Sequence, residues 1–173
     1  MITQQSIKAA FDTGKLSNIV KDLNGDGRYE LVLWRGLAGT DTWIPEAAAP
    51  RWPAIYRLVN GKYVEDSRDF LSFYDTEILP PLEKAIATAN SRGYADAAAI
   101  DQLEKDKILR VLGRNPTAGL NQAYQWMNSS DPTLLQCALA TFSDIGGHEQ
   151  EVQQLRKSAS VAYQREIDAR KGG

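Results

Sequence analysis

The feature that most constrains this chain is a stretch of twelve residues, 22–33, that reads DLNGDGRYELVL. Side chains that carry oxygen alternate with spacers at Asp22, Asn24 and Asp26, and a glycine follows where a tight loop has to turn. Glu30 occupies the ninth position, and an apolar run with strand-like alternation begins directly after it. Calcium needs roughly six to eight oxygen ligands at about 2.3–2.6 Å, and alternate residues of a tight loop can supply them. The stretch therefore predicts a calcium-binding loop that leads into a β-strand.

An EF-hand does not fit this stretch. The EF-hand pattern requires a bidentate Glu at the twelfth position and a helix after the loop. The twelfth position here is Leu33, which lies within a strand pattern. The motif instead resembles the calcium loop of FG-GAP-type repeats, also called integrin-like or VCBS-like repeats. In these repeats a strand leads into Asp-x-Asp/Asn-x-Asp-Gly-x-x-Asp and an apolar strand leaves it. The resemblance is strongest over residues 22–33 and extends over residues 16–66, the length of one four-stranded blade.

The resemblance implies a calcium ligand set. The side-chain ligands would be Asp22, Asn24, Asp26 and Glu30, and Arg28 would contribute its backbone carbonyl because its side chain is cationic. The chain departs from the family at Glu30, where Asp is usual, and it carries neither a second copy of the loop nor the Phe-Gly and Gly-Ala-Pro sequences. A closed propeller is therefore not expected. The alternative is a plain hairpin turn, since turns also favour Asn, Gly and Asp, but a turn does not need acidic residues at every fourth position.

Four antiparallel strands are predicted in the first part of the chain. They cover residues 15–23, 28–35, 54–59 and 62–66. In the second strand, Leu31 and Leu33 fall on one face and Val32 on the other. Asn60 and Gly61 join the last two strands, and this pair favours a type I′ turn because both positions need positive φ. A short helix at 6–14 is predicted before the sheet.

Helical spacing dominates the chain after Phe70. The predicted helices cover residues 79–93, 94–113, 115–127, 131–142 and 149–171. Asn115 and Asp131 are predicted N-caps, each followed by a proline at the first helical position. The two starts are 16 residues apart, a spacing that resembles HEAT or tetratricopeptide arrays without identifying either. We also expect the segment 70–92 to pack on the sheet, because it supplies Phe70, Phe73, Tyr74 and Leu79 and because so small a sheet needs a covered face.

Charge and composition exclude some classes of function. The formal net charge is −2, from 20 basic and 22 acidic residues, so neither nucleic acid nor an anionic membrane is an expected partner. No apolar run reaches the roughly 18 residues of a membrane span. The N-terminus lacks a basic region followed by an apolar run, so the protein is either not exported or carries no signal within this chain. The calcium motif and the single Cys137 favour a periplasmic or secreted bacterial protein, and a cytoplasmic protein is the alternative.

Other candidate functional residues have structural explanations. His148 is predicted to start the last helix, Cys137 to be a buried inert thiol, and Glu104 and Asp106 to lie on a solvated helix face. Trp43 and Trp52 lie on or beside a long connection at 36–53 and could bind a sugar or a protein partner. They could equally cover one face of the sheet.

The sequence thus predicts an α+β fold, with a small four-stranded antiparallel sheet carrying a calcium loop, followed by an all-helical bundle or short helical-repeat segment. The expected division is a β-sheet region at 1–69 and a helical region at 70–173. The predicted function is a non-enzymatic, calcium-stabilised module that binds a protein. The alternatives are a carbohydrate-binding domain that uses Trp43 and Trp52, and an enzyme of unrecognised type.

Overall fold

The computed structural model describes residues 20–36 and 49–171 of the chain. The helix predicted at 6–14, most of the first predicted strand and Trp43 lie outside these residues. Within them, a four-stranded antiparallel sheet is followed by helices, so the predicted α+β class is confirmed.

The strands of the sheet are arranged in chain order, so each strand pairs with its sequence neighbour. The strands are β1 (Val20–Lys21), β2 (Glu30–Gly36), β3 (Arg51–Val59) and β4 (Lys62–Glu65). The β3–β4 hairpin closes through Asn60 at φ 50° and Gly61 at φ 76°. Both angles lie in the left-handed region, as the predicted type I′ turn requires.

A continuous run of helical turns follows the sheet. It starts with a 3₁₀ turn (Ser67–Phe70), a short α-helical turn (Leu71–Phe73) and a π-helical turn (Tyr74–Ile78). The longer helices are α1 (Leu79–Ser91), α2 (Ala95–Val111), α3 (Thr117–Trp126), α4 (Pro132–Ile145) and α5 (Glu149–Lys171). All five correspond to helices that the sequence predicts.

One of the two predicted helix caps is correct. Asp131 caps α4, because its Oδ1 accepts hydrogen bonds from the N–H groups of Thr133 at 2.7 Å and Leu134 at 3.3 Å. The prediction for α3 is wrong. Its N-cap is Pro116, with a non-helical ψ of 57° and no capping side chain. The helix thus begins one residue later than predicted, which leaves Asn115 one position too early to cap it.

The main hydrophobic core lies between the sheet and the first helical turns. It joins Val32 and Ile55 of the sheet to the aromatic residues of the segment after β4 and to Ile108 of α2. Tyr74 is fully buried, and its hydroxyl donates a 2.7 Å hydrogen bond to the carbonyl of Pro53 on β3. The prediction that Phe70, Phe73, Tyr74 and Leu79 pack into a core with the sheet is therefore confirmed, whereas α1 packs mainly against α2.

Helix α2 also takes part in a second region of core. Its Ala99 and Leu103 pack against Cys137 of α4, while α3, α4 and α5 bury Phe142, Leu155 and their neighbours among themselves. The same helix therefore contacts the sheet layer on one side and the later helices on the other.

Polar contacts reinforce both sides of α2. Glu104 accepts a 2.9 Å hydrogen bond from the N–H of Arg51 on β3. Asp144 of α4 pairs with both Lys107 and Arg110, the latter at 3.0 Å. The expectation that Glu104 lies on a solvated face is therefore wrong, because the start of β3 packs over that face.

The expectation for Asp106 is also wrong, since its side chain is only 2% exposed. Its Oδ1 accepts a 2.7 Å hydrogen bond from Nε2 of Gln102, while its Oδ2 has no hydrogen-bond partner. This oxygen lies against Gly119 of α3, where an added Cβ would be 1.4 Å away. Burial raises the pKa of Asp106 to about 6, partly offset by Gln102 and by the positive charge of Arg110.

We predict that Gly119→Ala destabilises the protein by about 3 kcal/mol, the upper range for overpacking, because the new methyl group would occupy the position of the Asp106 carboxylate. Urea unfolding measures the change. The double variant Gly119→Ala/Asp106→Ala should recover part of the loss, since the clashing group is gone. Asn121→Ala, an exposed change in the same helix, should stay within about 0.5 kcal/mol of wild type. If Gly119→Ala matches Asn121→Ala, the close approach is wrong.

We predict that Asp106 makes the folded protein less stable as the pH rises from about 4 to 6. In that window the folded state keeps a proton on Asp106 that the unfolded chain has released, so the free energy of unfolding falls by up to about 3 kcal/mol. Asp106→Asn keeps an acceptor for Gln102 and should flatten this part of the pH profile. Urea unfolding at pH 4, 5, 6 and 7 compares the two proteins. Parallel profiles would show that Asp106 titrates normally.

Candidate metal centre

The predicted calcium ligands lie in the loop between β1 and β2. Gly25 and Gly27 have φ values of 74° and 80°, which residues with a side chain adopt only under strain. These two glycines let the backbone turn twice within a few residues. The position of Gly27 matches the sharp turn that the sequence predicts.

Asp22 organises the first half of the loop. Its Oδ1 accepts a 2.8 Å hydrogen bond from the N–H of Gly25, and its Oδ2 accepts one of 3.0 Å from the N–H of Gly27. The backbone is thus wound around a single carboxylate at the start of the loop.

Asn24 and Asp26 organise the second half. Oδ1 of Asn24 accepts a 3.1 Å hydrogen bond from the N–H of Asp26, and Oδ1 of Asp26 accepts one of 2.8 Å from the N–H of Arg28. The two side chains also touch, because Nδ2 of Asn24 donates to Oδ2 of Asp26 at 3.2 Å. These bonds bring three of the predicted ligands into one compact turn.

Glu30 closes the loop from the start of β2. Its side chain is only 1% exposed, and its Oε2 accepts a 3.0 Å hydrogen bond from the N–H of Leu23. Burial raises the pKa of Glu30, the hydrogen bond from Leu23 opposes this, and the negative charges of Asp26 and Asp22 raise it further. The charges of Asp22 and Asp26 therefore both reach the Glu30 carboxylate.

The donor set suits a hard cation that prefers oxygen ligands. Each carboxylate oxygen that accepts one N–H keeps a further lone pair, and an ion would neutralise the repulsion around buried Glu30. As they stand, however, no three Asp, Glu, His or Cys side chains within residues 20–36 and 49–171 converge closely enough to hold a metal. The loop thus supplies the oxygen donors that such an ion prefers.

The two predicted aromatic binding residues are placed very differently. Trp43 lies outside the described residues. Trp52 is only 7% exposed and belongs to the core beside the sheet. Nζ of Lys107 lies 5.3 Å from the centroid of its ring. This burial fits the interpretation of Trp52 as a core residue, because little of its side chain is accessible to a sugar or a partner protein.

Cys137 and His148 have structural surroundings. Cys137 is fully buried, and burial raises the pKa of its thiol to about 12, which matches the expected inert thiol. The carbonyl of His148 accepts the N–H of Val152 at 2.9 Å, as expected at the start of α5. Its ring lies between α3 and α4, with Nδ1 3.4 Å from the hydroxyl of Tyr124 and the ring centroid 5.0 Å from that of Phe142.

Sequence reasoning did not identify a groove between α5 and the turn that joins α3 to α4. The groove has a volume of about 730 Å³, and Lys157, Val161 and Arg165 of α5 line one side of it. The available signal was the spacing of these three residues, which places them four apart on one face of a helix.

No known family, curated protein or solved structure matches this chain. No helix in the described part of the chain is both long and apolar enough to cross a membrane.

We predict that Asp22→Ala loosens the loop even without metal, because two backbone N–H groups lose their acceptors. Hydrogen exchange in the presence of a chelator should become faster at the amides of Gly25 and Gly27. Asn24→Ala is the matched control, since it removes two hydrogen bonds to Asp26 and leaves the amides of Gly25 and Gly27 bonded to Asp22. Unchanged exchange at both glycines in Asp22→Ala would contradict the observed hydrogen bonds.

Proposed function

We propose that this protein is a non-enzymatic module that calcium stabilises and that binds another protein. The observation that carries the calcium part is the buried Glu30 carboxylate, which lies within the electrostatic reach of Asp22 and Asp26. Burying a charge without a counter-charge is costly. A divalent cation would relieve that cost and draw the five predicted ligands together.

Contacts on both sides of Asp22 support a stabilising role for the ion. Nζ of Lys21 lies 3.6 Å from Oε2 of Glu77 and 5.6 Å from the ring centroid of Phe73. On the other side, Leu23 packs against the main core. An ion that tightens the loop would therefore hold β1 against the helical turns as well as against β2.

The surroundings of the reactive side chains favour a non-enzymatic role. The Cys137 thiol is buried and protonated, and the ring of His148 packs between aromatic residues of α3 and α4. The carbohydrate-binding alternative loses support from Trp52, which is buried, and then depends on Trp43 alone. The protein-binding proposal instead draws on the long exposed surface of α5.

The proposal places the protein in the bacterial periplasm or outside the cell. Extracellular calcium modules bind the ion with dissociation constants of about 0.1–1 mM.

We predict that calcium raises the melting temperature and that excess chelator reverses the rise. An ion that binds only the folded state at 100 times its dissociation constant adds about 3 kcal/mol of stability. Asp22→Ala, Asp26→Ala and Glu30→Gln should each reduce the calcium-dependent shift. In chelator, Glu30→Gln should be at least as stable as wild type, because it removes a buried charge and keeps an acceptor for Leu23.

Asp168→Ala serves as the control, since this carboxylate is exposed on α5 and should leave the calcium shift unchanged. Magnesium at the same concentration tests whether the ion effect is selective. The calcium proposal fails if wild type does not respond to the ion, or if the three loop variants respond to it as strongly as wild type does.

A further inference from the structure

The groove between α5 and the α3–α4 turn combines an apolar wall with positive charge. Half-buried Pro132 and Ala162 contribute apolar surface above buried Leu135, and Val161 is 51% exposed. The volume of about 730 Å³ lies within the roughly 300–1,000 Å³ range of ligand sites. An exposed valine beside an apolar wall gives an incoming apolar side chain a place to pack.

Two cations line this groove without a carboxylate partner. Neither Lys157 nor Arg165 forms an ion pair with any residue in 20–36 or 49–171. The one acidic residue that lines the groove, Glu166, is already paired with Arg170 one turn further along α5. The groove therefore presents two available positive charges on either side of Val161.

The N-terminus of α4, which borders the same groove, does not contribute to this field. Asp131 already accepts hydrogen bonds from Thr133 and Leu134. The attraction for an anion therefore comes from the two side chains of α5.

We infer that the groove binds an acidic segment of a partner protein, an inference that rests on the protein-binding function proposed above. Lys157 and Arg165 are eight residues apart, which is about 12 Å along a helix. In an extended peptide, residues i, i+2 and i+4 point to one side and span about 13 Å. A segment with Glu at i and i+4 and an apolar residue at i+2 thus matches both cations and Val161 at once.

A nucleic acid fits the groove less well. Phosphate backbones are bound by many cations in a row, whereas this groove offers two around an apolar centre and the chain as a whole carries a net charge of −2. Charge complementarity together with the apolar wall therefore points to a peptide.

The test uses a fluorescent peptide with the core Glu-Ser-Leu-Ser-Glu and measures its anisotropy with the full chain. Peptides with Gln in place of both Glu, or Ser in place of Leu, should bind at least about tenfold more weakly. Lys157→Glu, Arg165→Glu and Val161→Asp should weaken binding of the first peptide to a similar degree. Arg156→Glu makes the same charge change at an exposed neighbour that does not line the groove, and it should bind like wild type.

Circular dichroism and urea unfolding establish that each variant is folded. The inference is overturned if folded Lys157→Glu and Arg165→Glu bind like wild type, if wild type does not bind the peptide, or if a random oligonucleotide competes as well as unlabelled peptide. Measurements in calcium and in chelator separate the two proposals. If the peptide binds in the groove but calcium does not raise the melting temperature, the groove inference stands and the calcium proposal is refuted. If calcium raises the melting temperature but the peptide does not bind, the calcium proposal stands and the groove inference is refuted.

Discussion

The two-sided burial of α2 is the constraint on which the rest of the described structure depends. Ile108 is fully buried in the core beneath the sheet, and Leu103 packs on the opposite region of core against α4. Polar contacts follow the same division, with Glu104 bonded to the start of β3 and Lys107 paired with Asp144 of α4. Because α2 packs against both the sheet and α4, it can neither rotate nor shift without breaking one of these two sets of contacts. It therefore determines where the sheet and the later helices lie.

Local signals made much of this fold predictable from the sequence. The Asn60-Gly61 turn, the Asp131 cap and the helical spacing after Phe70 each depend on residues close in the chain. The burial of Asp106 and Trp52 depends on contacts between segments that are distant in the sequence, and no local sequence pattern predicts these contacts. Asp106 lies in a charged stretch of α2 that resembles a solvated face until α3 packs over it. The missed cap at Asn115 is a smaller error of the same kind, since proline permits a helix to start at or after its own position.

For the candidate metal site, the sequence predicts which oxygen ligands are present but does not predict how they are arranged in space. The spacing of Asp22, Asn24 and Asp26 correctly predicted a tight loop that turns at Gly27. Spacing alone could not reveal that Glu30 would be buried or that its carboxylate would accept the N–H of Leu23. These contacts depend on how β1 pairs with β2. The groove along α5 required the structure for the same reason, since Lys157 and Arg165 become available cations only once the other side chains have found partners.

The contact between Asp106 and Gly119 limits how this chain can change over evolution. The two positions belong to different helices, yet the volume at one determines what the other can hold. A residue larger than glycine at 119 would become acceptable only after the side chain at 106 had shortened, so the order of the two substitutions matters. Among related sequences, positions 106 and 119 should therefore covary in size, and lineages that keep the carboxylate should keep the glycine.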